Sequence, residues 1–142
     1  MSAINAPRVI LGGLAAGLVM NVLDVTTGLT LLADDMNANA QRLNLDQAVL
    51  NSTATMVTWI VIDFLYGLLV VFTYAGFRPR FGPGPRTAII AGVTIYAAIT
   101  AILVGFLSVG MFMQGPFMKQ AAIALVITII ASVVGGAIYK ET

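Results

Sequence analysis

VILGGLAAGLVMNVLDVTTGLTLL, residues 9–32, is an apolar run of 24 residues interrupted by one charge, Asp24. A helix that crosses a bilayer needs about 20 consecutive, mostly apolar residues, so this stretch is long enough to span. A carboxylate inside such a run is costly and usually faces a partner, a cavity or a pathway. Three more stretches have the same character: 54–77, which carries a second acid, Asp63, then 87–113 and 117–139. The reading is an all-α, integral membrane four-helix bundle, a single transmembrane domain over 1–142.

Composition agrees. Fifty-nine per cent of the residues are hydrophobic and 9% are charged, against roughly a quarter charged in soluble domains. A net charge of +1 with no basic, aromatic-interleaved stretch argues against a nucleic-acid partner. The chain has no cysteine, which removes disulfides and thiolate metal sites, and no histidine, the commonest general base and metal ligand. No nucleophile or metal-ligand set accompanies the acids, so the expectation is a non-enzymatic protein with no cofactor and no metal. The first run is also longer than the 7–15 residues usual for the apolar part of a signal peptide. It is read as a retained anchor.

Between the spans lie a polar loop (33–53), a short basic loop (78–86) and a minimal turn (114–116), with Gly115-Pro116 expected to mark the reversal. Four spans put both termini and the basic loop on one side, with Arg8, Arg78, Arg80, Arg86 and Lys140. The other side has Arg42 and Lys119 beside Asp34, Asp35 and Asp46. Positive charge favours the cytoplasmic face, so both termini are expected to be cytoplasmic. The polar loop has two open readings: a helix lying at the interface through Met36, Leu43, Leu45, Val49 and Leu50, or a loop with one or two helical turns. Asn51-Ser52-Thr53 matches a glycosylation sequon, a motif short enough to arise by chance.

The basic loop is the most distinctive linear element. Its three prolines and two glycines are expected to forbid a continuous helix. Arg78, Arg80 and Arg86, with Phe77 and Phe81, are expected to meet anionic lipid headgroups.

Two motifs, Arg8-Val9-Ile10-Leu11-Gly12-Gly13 and Arg78-Pro79-Arg80-Phe81-Gly82-Pro83-Gly84-Pro85-Arg86-Thr87-Ala88, resemble a family of small, uncharacterised bacterial membrane proteins with four spans. The resemblance implies a protein of the bacterial cytoplasmic (inner) membrane. It brings no activity and no functional residues with it.

Helical spacing sorts the remaining features into faces. Gly13, Gly17, Asn21, Asp24 and Gly28 share one face of the first span, bordered by Thr27. Small residues at this interval let another helix backbone approach, and polar members hydrogen-bond across the contact. Trp59, Asp63, Tyr66 and Gly67 share a face of the second span. Ala97, Ala101, Gly105 and Ser108 form a small-residue stripe on the third, and Ala124, Thr128, Ser132 and Gly135 on the fourth. The seam residues singled out are Gly13, Gly17, Gly28, Ala101, Gly105 and Gly135. The glycine seam of the first span is the expected contact for a homo-oligomer or another membrane chain. Pro7-Arg8 and Pro85-Arg86 each precede a span, but the halves do not otherwise align as a repeat.

At 1.5 Å per residue, Asp24 lies roughly 12 Å from the outer end of its helix, and Asp63 about 13–14 Å from the same end. The acids therefore fall at one level on consecutive antiparallel helices, with Asn21 one turn deeper and no lysine or arginine within the spans. Two carboxylates without a cation favour a shared proton or a bound cation. The candidate polar site is Asp24, Asp63, Asn21, Thr27, Tyr66 and Trp59. Two readings follow. In the first, the chain is a helix-packing subunit or accessory of a membrane assembly, its acids acting as glue. In the alternative, it is a small proton- or cation-coupled transporter or channel using Asp24 and Asp63.

Overall fold

Asn5 starts the first helix: its side chain accepts a hydrogen bond from the Arg8 N–H, and Pro7 occupies the first turn, where no N–H is needed. The computed structural model describes residues 4–140, which form six helices and, among the described residues, no strand. They are α1 (Ala6–Thr30), α2 (Ala33–Arg42), α3 (Gln47–Leu50), α4 (Thr53–Phe81), α5 (Pro85–Ser108) and α6 (Gln114–Ile138). The long helices α1, α4, α5 and α6 are each long and apolar enough to cross a membrane.

Sequence and structure part at two prolines. Helix α4 runs through Pro79 to Phe81, although the loop was expected to begin at Arg78. Proline in a last turn removes only one backbone hydrogen bond. The helix stops at Gly82, whose left-handed φ of 81° turns the chain and whose N–H still donates to the Arg78 carbonyl. Gly84, at φ 125°, and Pro85 then start α5. The last reversal falls before Gly115-Pro116. Gly110 (φ 81°) ends α5, its N–H donating to the Leu107 carbonyl and that of Met111 to the Phe106 carbonyl, a Schellman cap. Pro116 sits harmlessly in the first turn of α6.

The polar loop contains two helices. Asp34 and Asp35 stand in the first turn of α2 and Arg42 in its last, each complementing the helix dipole. Asn44, at φ 52°, closes α2 with a second Schellman pair, Leu45 to Ala40 and Asn44 to Gln41. Met36 and Val49 are well exposed.

The four long helices form an up-down-up-down bundle. Helix α1 packs against α4 and α6, α5 packs against the same two, and α4 touches α6 across the middle. Thus α1 and α5 occupy opposite corners. Burial is uneven along the bundle axis. Ala16, Val70, Val71, Ala91 and Ala131 are wholly enclosed, and all belong to the half nearer the chain termini. Towards the other end, called here the loop end, α5 has no buried residue after Gly92 and α4 none before Gly67. Leu29, Phe72 and Ile102 are more than half exposed on the outer surface. With that apolar surface and four candidate spans, this is a multi-pass helical membrane protein.

Candidate intramembrane polar site

The site stands on a glycine seam. A Cβ on Gly67 would lie 2.5 Å from the Gly13 carbonyl oxygen and 2.5 Å from the Gly17 nitrogen. A Cβ on Gly17 would lie 2.7 Å from the Phe64 Cα, and one on Gly13 2.8 Å from the Leu68 Cα. Only glycine allows α1 and α4 to touch backbone to backbone. On the other side of α1, a Cβ on Gly12 would lie 2.6 Å from the Gly135 carbonyl oxygen of α6. Farther along, a Cβ on Gly92 of α5 would lie 2.8 Å from Ser132 of α6.

Part of the predicted seam is therefore used within the chain. Gly13, Gly17 and Gly135 hold the bundle together, so this stretch of α1 is not a free face for a second protein. Gly28 and Gly105 meet nothing within 4 Å, and Ala101 is exposed. They continue the same stripes, but there the helices have splayed apart.

Asn21 sits one turn beyond Gly17. Its amide donates to the Gly17 carbonyl (3.0 Å) and across the seam to the Ile60 carbonyl (3.3 Å). This keeps α1 and α4 in register where the glycines end. Asp24 follows on the Gly17 face, two turns on. Asp63 lies one turn before Gly67, and its backbone carbonyl is beside Gly17. The two carboxylates are within electrostatic range of each other, and Tyr66 is within range of Asp24 and Tyr96. Asp63 and Tyr66 are half-buried, whereas Asp24 is exposed because the bundle is open at its level.

The Tyr66 hydroxyl accepts from Thr128 Oγ1 on α6 (3.3 Å), and the Tyr96 hydroxyl donates to the Ala121 carbonyl (2.8 Å). Tyr66 thus ties α4 to α6 and Tyr96 ties α5 to α6, and with the two acids they make up a polar layer several residues deep. Among the described residues, neither carboxylate takes part in a hydrogen bond or ion pair, and no cluster of three acids is present. Asn21 uses its amide nitrogen on backbone, leaving Oδ1 as the atom it can offer a ligand.

Of the six residues read as a site, Asn21 reaches across to the Ile60 carbonyl and Tyr66 reaches Thr128. Asp24, between one and two turns nearer the loop end than Asp63, is linked to it by electrostatics and not by contact. The Thr27 hydroxyl turns back to the Leu23 carbonyl (2.8 Å). Trp59 is 63% exposed and faces outward. Tyr96 and Thr128 are additions. Depth arithmetic would not have found them, since both lie deeper from the loop end than the acids and reach the region only through their hydrogen bonds.

At the terminal end, Arg80 and Arg86, two of the residues expected to meet headgroups, are exposed. Arg78 departs from that expectation. Its guanidinium lies 5.8 Å from the ring centroid of Tyr74 and 5.3 Å from that of Tyr139, so it folds back onto the bundle. The two rings meet edge to face at 6.0 Å, and the Tyr139 hydroxyl accepts from the Asn5 N–H (3.2 Å). Tyrosine rings and a cation make a stronger contact there than one arginine in water.

No family model, curated protein or solved structure matches the chain.

Proposed function

We propose that this is a non-enzymatic protein of the bacterial cytoplasmic membrane, with cytoplasmic termini, that binds a proton or small cation between Asp24 and Asp63. The observation that carries the reading is that the adjacent helices α1 and α4 each bear one carboxylate with no hydrogen-bond partner among the described residues. The two stand at and beyond the loop-end edge of the Gly13, Gly17 and Gly67 contact and within electrostatic range of each other. Such a layer lies towards the loop end, with the close-packed half of the bundle between it and the termini. Uncompensated carboxylates in a membrane interior mark ion or proton pathways more often than scaffolding. Carboxyl groups without a cation beside them are suited to taking up and releasing a proton or a small cation.

A second reading, a subunit or oligomer-forming chain, is favoured by α5. Its stripe of Ala97, Ala101, Gly105 and Ser108 is exposed over the splayed half and is suited to a close helix contact.

Dicyclohexylcarbodiimide, which couples to protonated carboxyl groups in apolar surroundings, tests the first reading. The expected product is one adduct per chain, mapped by mass spectrometry to Asp24 or Asp63 and absent from the Asp24→Asn/Asp63→Asn variant. Adducts confined to Asp34, Asp35 and Asp46 would count against it.

A further inference from the structure

Residues 31–52 join α1 to α4, two helices that already lie side by side. A link of about 2–8 residues serves such neighbours, so the extra length has another use. The chain leaves α1 and travels to the turn between α5 and α6, where Asn39 Nδ2 donates to the Met111 carbonyl (3.3 Å). Leu32 and Ala40 are buried along this path, and α3 leads back to α4. In doing so the segment touches the loop ends of separate helices around the bundle.

One side chain fastens it. Lys119, in the second turn of α6, donates to the Leu31 carbonyl at the end of α1 and to Asp35 Oδ2 in α2 (2.9 Å). A single ammonium thus joins α1, α2 and α6. Arg42, the other cation at this end, is turned to Asn39 Oδ1 within α2 (2.9 Å). Most of α2 is otherwise exposed, including Asp34, Met36, Asn37 and Gln41. Elements with few buried contacts open locally at low free energy. The pair itself is half open to solvent, at 49% for Lys119 and 30% for Asp35, where ion pairs are weak and screened by salt.

We propose that α2 is a strap across the loop end and that Lys119 is its latch, whose release admits water and ions to the Asp24–Asp63 layer. The proposal deepens the ion-site reading and rests on it for its functional meaning. The strap itself can be tested without any ion movement.

The chain has no cysteine, so Thr27→Cys, one turn from Asp24 towards the strap, supplies a unique thiol. Its labelling rate with a charged, membrane-impermeant methanethiosulfonate is measured in lipid vesicles, with Asn51→Cys as an exposed reference. Lys119→Met is expected to raise the Thr27→Cys rate about threefold, the range an exposed ion pair supports, and to leave Asn51→Cys unchanged. Asp35→Asn is expected to act in the same direction. Salt at about 1 M should raise the rate for the parent chain, whose latch is intact, and add nothing to Lys119→Met.

Equal rates in the parent and both latch variants would overturn the strap. Faster labelling in the latch variants of a parent that moves no ions keeps the strap and removes the ion-site reading. Acid-dependent ion movement with unchanged labelling does the reverse.

Discussion

Replacing Asp24 and Asp63 together by asparagine is expected to reduce ion movement by the purified protein in liposomes to below about a tenth of the parent rate. Asparagine matches aspartate in shape and polarity but neither exchanges a proton nor attracts a cation. Both positions are changed because the acids are within electrostatic range, and either one alone retains a charge in the layer. The measurement is dissipation of an imposed pH or cation gradient, followed with an entrapped dye. Neither carboxylate is hydrogen-bonded among the described residues, so the variant's thermal stability in mild detergent should stay within about 0.5 kcal/mol of the parent. A stable variant without flux supports an ion site. A variant that falls apart, beside a parent with no flux, makes the acids structural glue.

The largest expected effect on stability is that of Gly67→Val, about 3 kcal/mol or more. The atoms in its way are the Gly13 carbonyl oxygen and the Gly17 nitrogen, both backbone, and neither can rotate aside. Helices α1 and α4 must separate, which also breaks the Asn21 bond to the Ile60 carbonyl. Gly76→Val is the control. It lies on the same helix with nothing within 4 Å, so it carries the same propensity change, which slightly favours valine over glycine, without the clash, and should stay within about 1 kcal/mol of the parent. Equal losses in thermal unfolding would mean that the backbone contact is not what holds α1 to α4.

The four spans were legible because about 20 apolar residues in a row leave few alternatives. Their ends were less so. Pro79 and Pro116 read as breaks, yet a proline in the last or first turn of a helix removes little, and Gly82 and Gly110 make the actual reversals. The seam shows a different limit. Spacing put Gly13, Gly17 and Gly28 on one face, and that holds for direction. It says nothing of distance: the first two touch α4, while Gly28 stands where the helices have parted. Nor does spacing name the partner, which proved to be a helix of the same chain.

For the site, helical rise was expected to bring Asp24 and Asp63 to one level. Gly17 instead faces Asp63 and Asn21 faces Ile60, so Asp24 stands between one and two turns nearer the loop end, because α1 stops at Thr30 and α4 begins at Thr53. The rotation of α4 also lay beyond that arithmetic. Trp59 and Tyr66 both flank Asp63 by spacing. Tyr66 reaches Thr128 on α6, while Trp59, nearer the splayed end, is mostly exposed. The strap was legible only as polarity and length, because its path depends on Lys119, 84 residues from Asp35 in sequence.

Whether the two acids form one site inside a single chain is tested most directly by Asp24→Cys/Asp63→Cys, in a protein with no other thiol. A short bifunctional methanethiosulfonate is added to the protein in vesicles, and the products are separated under non-reducing conditions. The expected result is a bridge within one chain, found as a linked pair of peptides from a monomer-sized band. Bridges found only between two chains, or none at all while both thiols react singly, would contradict the shared site.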